Sequence, residues 1–201
     1  MRRVGRVDDA IAQFLKTDAV ERAYYHAENI DPSFDWHHRH NLDLLATCYE
    51  YKGQMLLAEK TMREADALAV VDAYGDFSRR ELPSFLIRRA RYEEALAAAQ
   101  ALTLAKHPQA RSVGNALAGQ ALIGLGRVDA AHEALETARR ELEAVALVTA
   151  GIVPNRSRVE LWVEALHGEL VLRAGKLDEG RTILKGVQRG LRASPGADAW
   201  V

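Results

Sequence analysis

The chain has 201 residues, 48% of them hydrophobic and 27% charged, which is the balance of a water-soluble globular protein able to bury a core as one domain or one continuous array. Its formal net charge of -1 gives no global field for nucleic acid or an anionic membrane. No apolar run reaches the ~18 residues of a membrane span, and the single cysteine, Cys48, leaves no intramolecular disulfide, so the reading is a cytoplasmic protein with neither nucleic-acid nor membrane partner.

A six-residue phrase opens the chain and then returns. Gly5-Arg6-Val7-Asp8-Asp9-Ala10 joins a small residue, a long polar one, an apolar one, two acidic ones and a small one. The small first residue suits a tight turn between helices. The acidic pair suits the first turn of the next helix, where the backbone dipole favours negative charge. A helix over about Val7–Lys16 is expected, with Val7, Ala10, Ile11, Phe14 and Leu15 as its apolar positions. Only four residues precede Gly5, so this helix lacks its preceding partner. Either the chain is the later part of a longer array, or a second copy covers the helix as a homodimer, or Asp18–Glu28 folds back as a further helix over it.

Asp31-Pro32-Ser33-Phe34-Asp35 reads as a connection, with Asp35 as N-cap of a helix starting near Trp36. The next turns fall at Gly53, Ala90, Gly126 and Gly175. The five turn residues are spaced 48, 37, 36 and 49 residues apart, and the longer intervals hold Asp31–Trp36 and Gly151–Asn155 as connections. Apolar or small residues recur at helical offsets on both sides: Tyr49, Ala58 and Met62 around Gly53; Leu86, Ala95 and Ala99 around Ala90; Leu122, Ala131 and Leu135 around Gly126; Val171, Gly180 and Leu184 around Gly175. Pro83 falls inside an expected first helix and predicts a kink or a late helix start there. The last helix ends at Ser194-Pro195-Gly196, leaving residues 193–201 as a tail that carries Trp200.

Tyr49, Gly53, Ala58 and Met62 match best the tetratricopeptide repeat, whose pattern has an aromatic four before the turn glycine, an alanine five after it and a large apolar residue nine after. The chain resembles that family over about residues 36–192. The resemblance implies an all-α fold, a right-handed α-solenoid of antiparallel helix pairs with about nine to ten helices, and a concave face that takes extended peptides. It divides the chain into a partial repeat and connecting helix over 1–35, the array over 36–192, and the tail. Gly5 through Asn41 also looks like a group of bacterial repeat proteins with a tyrosine-rich stretch, here Tyr24-Tyr25-His26, followed by His-Asn-x-His. Asp43 stands here in place of the final histidine, and that likeness implies no particular activity.

The densest polar cluster is Asp35-Trp36-His37-His38-Arg39-His40-Asn41-Leu42-Asp43. On a helix, His37, His40 and Asp43 share a face at three-residue spacing. Two imidazoles and a carboxylate are a ligand set for a divalent transition metal, with His26 or Glu50 as further ligands. The alternative is a histidine-rich helix start that Asp35 caps and Phe34 and Trp36 pack beside. Cys48 reads as a buried small hydrophobe, and no nucleophile elbow or phosphate loop is present.

Projecting the first helix of each pair gives a groove for a protein or peptide partner. The first full repeat contributes His40, Asp43, Thr47 and Glu50. The second contributes Phe77, Arg80, Ser84 and Arg88, with Arg80 and Arg88 suited to a carboxylate. Gln120 comes from the third, and Trp162, Glu169 and Arg173 from the fourth. The face lacks the ring of lysines and asparagines that chaperone-tail-binding repeats use. The sequence therefore favours a non-catalytic adaptor. The alternative is a metal- or small-molecule-binding protein with a site near His37, His40 and Asp43.

Overall fold

The computed structural model describes residues 5–147 and 154–193. Every regular element among them is helical. The chain runs α1 (Val7–Glu28), a 3-10 turn (Pro32–Phe34), α2 (Trp36–Tyr51), α3 (Met55–Ala67), α4 (Ala73–Ser78), α5 (Glu81–Arg88), α6 (Tyr92–Thr103), α7 (Pro108–Gly124), α8 (Val128–Glu143), α9 (Arg156–Arg173) and α10 (Leu177–Ala193). It forms two compact units that divide between Leu82 and Pro83. None of the described helices is long and apolar enough to cross a membrane.

The recurring phrase is one turn built four times over. Gly53, Ala90, Gly126 and Gly175 all adopt left-handed φ, at 71°, 55°, 75° and 81°. In each turn this residue's N–H bonds the carbonyl three back, and the next N–H bonds the carbonyl five before itself: Gly53 to Glu50 and Gln54 to Tyr49, Ala90 to Ile87 and Arg91 to Leu86, Gly126 to Ile123 and Arg127 to Leu122, Gly175 to Leu172 and Lys176 to Val171. This is the Schellman closure, which satisfies the last carbonyls of one helix while reversing the chain. Five residues after the turn, Ala58, Ala95 and Ala131 are completely buried and Gly180 is buried, so the new helix lies close against its neighbour. Gly5 also has a left-handed φ, of 80°.

In the first unit α2 is the centre, packed by α1 on one side and α3 on the other. Leu42, Leu45, Ala46, Cys48 and Tyr49 of α2 meet Ala58, Met62 and Ala65 of α3 in its core. Cys48 is fully buried, as a small hydrophobe would be. In the second unit α7 takes the central place, against α6, α8 and α9. That helix is apolar or small nearly all round, which is the pattern of a helix enclosed by others. At Gly114 it passes so near the end of α6 that a Cβ would stand 2.9 Å from the backbone of Leu102 and Thr103.

Two expectations about the N-terminal helix change. The first helix does not stop at Lys16, and Asp18–Glu28 does not fold back: α1 runs unbroken for 22 residues. No glycine or proline interrupts Thr17–Ala23, and Arg22 pairs with Asp18 one turn earlier, so nothing ends the helix. One side of α1 packs on α2, where Asn41 Nδ2 donates to the carbonyl of Phe14 at 3.1 Å. Pro83 acts as anticipated, with a break after Ser78 and α5 starting at Glu81, so the proline lies in a first turn where its missing N–H leaves no helical bond unmade. The tail from residue 194 and residues 148–153 of the second connection lie outside the described residues.

Candidate functional site

The polar cluster at the start of α2 is a hub. Asp35 caps the helix, its Oδ1 accepting from His37 N–H at 2.8 Å, while its Oδ2 accepts from the Tyr25 hydroxyl of α1 at 2.7 Å. From there successive side chains reach successive neighbours, because a helix rotates each residue by about 100°. His38 turns to α1 and lies 3.0 Å from Glu21 Oε2. Arg39, buried, crosses to the end of α3 and donates to the carbonyls of Ala65, Leu68 and Ala69 at 2.6, 2.9 and 3.3 Å. These are carbonyls at and just beyond the helix end, where backbone donors run out, although Ala65 also accepts from Leu68 N–H at 3.3 Å. Burial lowers the guanidinium's pKa from its ordinary value.

His40 and Asp43 both turn to α4 and meet there at one atom. Tyr74 donates its hydroxyl to Asp43 Oδ2 at 3.1 Å, and His40 Nδ1 lies 2.7 Å from the same hydroxyl. The Tyr74 hydroxyl thus links the imidazole and the carboxyl in one chain of bonds. Burial pushes the Asp43 carboxyl up to about 8; neighbouring Glu81 adds to the shift, and Arg80 and the Tyr74 hydrogen bond oppose it. Asp43 therefore keeps its proton to a higher pH than an exposed aspartate does. Burial likewise raises the Tyr74 phenol well above its ordinary value. Trp36 flanks the chain of bonds, its ring 5.8 Å from both His40 and Tyr74.

His37, His40 and Asp43 thus do not converge on a common metal position. His37 is exposed, stacks on Trp36 at 3.8 Å and faces Asp35. The other two bond the same phenol. Among the described residues, the one group of three side chains whose ligand atoms lie within 4.8 Å of one another is Asp18, Glu21 and His38. His26, the further ligand considered from sequence, is exposed at the end of α1.

The projected groove residues divide. In the first unit Thr47 Oγ1 bonds back to the Asp43 carbonyl at 2.8 Å, and Glu50 is half-buried. Phe77 is buried, with the Arg80 guanidinium 3.9 Å above its ring and paired with Glu81 at 2.6 Å. Arg80 is already engaged by these two neighbours. Ser84 is buried instead of facing a groove, and Arg88 is exposed. In the second unit Gln120 of α7 donates to Glu169 of α9 at 2.6 Å. Burial raises the Glu169 pKa, against the Gln120 hydrogen bond and Arg173. Arg173 is exposed and Trp162 is half-buried. On α1, Phe14 is half-buried, and the exposed large apolar side chains are Leu15, Val20 and Tyr24.

Tyr74 and Arg39 were not singled out from sequence. Tyr74 had a usable signal: Asp72 caps α4 by accepting from Gly75 N–H at 2.6 Å, and Asp-x-x-Gly after an extended stretch marks a helix start. No protein-family model matches the chain, and no curated protein or solved structure matches it either.

Proposed function

We propose that this chain is a non-catalytic helical-repeat adaptor of the tetratricopeptide kind, in which antiparallel helix pairs stack as an α-solenoid and the first helices of the pairs present a face to a protein or peptide. The observation that carries the reading is the contact between first helices. Within the second unit α7 packs on α9 and Gln120 bonds Glu169, and within the first α2 packs on α4 through Tyr74. Side-by-side first helices are what a solenoid's inner face requires. The repeated left-handed turn supports the same architecture. The polar residues at the start of α2 are engaged in joining helices, which favours scaffolding over catalysis.

Half-buried Trp162 and exposed Arg173 lie on one face of α9, about three turns apart, and are residue types enriched at protein interfaces. The test is affinity capture from an extract of the source cells with wild-type protein and with Trp162→Ala and Arg173→Glu variants of matched helical circular dichroism. The reading expects a partner retained by the wild type and depleted by both variants. Equal recovery on all three proteins overturns it.

A further inference from the structure

Where α1 passes the start of α2, Asp18 and Glu21 stand three residues apart on one helix and face His38 on the other. His38 Nδ1 is 3.0 Å from Glu21 Oε2 and 3.8 Å from Asp18 Oδ1. The imidazole is almost wholly enclosed, while each carboxylate side chain keeps 18% of its surface open to solvent. Arg22 holds Asp18 from the other side, donating to Oδ2 at 2.8 Å, and pairs with Glu64 as well. That clamp leaves Oδ1 turned inward, buried and without a hydrogen-bond partner.

One imidazole nitrogen carries at most one hydrogen, and Glu21 Oε2 is its nearer acceptor, at 3.0 Å against 3.8 Å to Asp18. The second carboxylate is left with a buried acceptor unsatisfied, an arrangement that costs about 1–3 kcal/mol unless something fills it. A cation between the three atoms satisfies all of them at once. Metal bonds of about 2.0–2.2 Å to imidazole nitrogen and carboxylate oxygen place neighbouring ligand atoms roughly 3.0 Å apart in an octahedron and roughly 3.4 Å apart in a tetrahedron. The observed 3.0 and 3.8 Å bracket those spacings. Imidazole with two carboxylates suits zinc and its first-row neighbours better than the all-oxygen cations calcium and magnesium.

We infer that Asp18 Oδ1, Glu21 Oε2 and His38 Nδ1 form a site for one divalent transition metal, which joins α1 to α2 and keeps its remaining positions for water on the open side. Arg22 is a positioning residue, fixing the Asp18 carboxylate through the oxygen the metal does not use. The bound ion would fasten the N-terminal helix to the first unit, so its occupancy would control how firmly that helix is held.

The experiment is calorimetric titration of the chelator-stripped full chain with Zn(II) at pH 7, together with NMR of the histidine ring nitrogens. The expected result is binding of one ion, a shift at His38 Nδ1, and affinity weakened at least about tenfold by Asp18→Asn and by Glu21→Gln, since even changes outside the ligand set commonly cost that much. The exposed histidines serve as controls: His26→Ala and His37→Ala leave the affinity unchanged. Absence of one-to-one binding, an unshifted His38 Nδ1 in the wild type, or binding abolished by His37→Ala overturns the site. The wild-type NMR result stands even where a variant folds poorly.

Discussion

Tyr74 and Asp43 share a hydrogen bond of 3.1 Å across α2 and α4, and burial holds the carboxyl that accepts it well above the ordinary carboxylate range. Folding raises this group from 3.8 to about 8, so the folded state holds a proton that the unfolded chain has released. The stability tied to that proton is fully present below about pH 4 and is lost as pH rises toward 8, with a slope of at most about 1.4 kcal/mol per pH unit. Asp43→Asn keeps the shape and the acceptor but has no proton to lose. Urea unfolding at pH 5, 6, 7 and 8 is expected to show the wild type weakening over this range more steeply than the variant, which gains relative stability toward pH 8.

Among the turn residues of the recurring phrase Ala90 stands where the others have glycine, and it holds φ at 55° on the surface. A Cβ in the left-handed region costs about 1–2 kcal/mol, partly offset by the smaller entropy that alanine loses on folding. Ala90→Gly is expected to stabilise the second unit by about 0.5–1 kcal/mol, and Gly126→Ala in the same unit to destabilise it by a similar amount. Thermal melts of the two variants beside the wild type give the comparison.

At Gly114 the obstacle is backbone, which cannot rotate away as a side chain can. A Cβ there meets the Leu102 carbonyl carbon and Thr103 nitrogen at 2.9 Å. Gly114→Ala is expected to cost about 1–3 kcal/mol, despite alanine's better helix propensity, because α6 and α7 must separate. An equal or higher melting temperature would mean that the helices tolerate the shift.

Arg39 spans three carbonyls at the end of α3 with one planar fork. Arg39→Met leaves those acceptors without the guanidinium and is expected to destabilise the first unit by about 3 kcal/mol. Arg39→Lys is expected to restore little of it, since a single ammonium cannot reproduce the fork. Chemical denaturation followed by the fluorescence of Trp36, the one tryptophan in that unit, reads the change.

The turns were legible because a Schellman closure demands a left-handed residue at one position, and glycine at Gly53, Gly126 and Gly175 marks it in the sequence. Asp35 was legible for a similar reason: a cap is a local event, decided by residues two apart. The hub was only half legible. Helical spacing places His40 and Asp43 on one face, yet it does not say that Tyr74, more than thirty residues on, occupies that face. The same gap hid Asp18 and Glu21 as neighbours of His38, because their helix was read as a separate connecting segment. Ser84 and Phe77 were projected outward from periodicity alone, and their burial depends on which elements pack around them.

Hydrogen exchange on the captured complex tests the central claim most directly. Amide protection gained on partner binding is expected on α7 and α9, around Gln120, Trp162 and Arg173, with the starts of α8 and α10 unchanged. Protection confined to those second helices, with α7 and α9 unaffected, would contradict the assignment of the binding face.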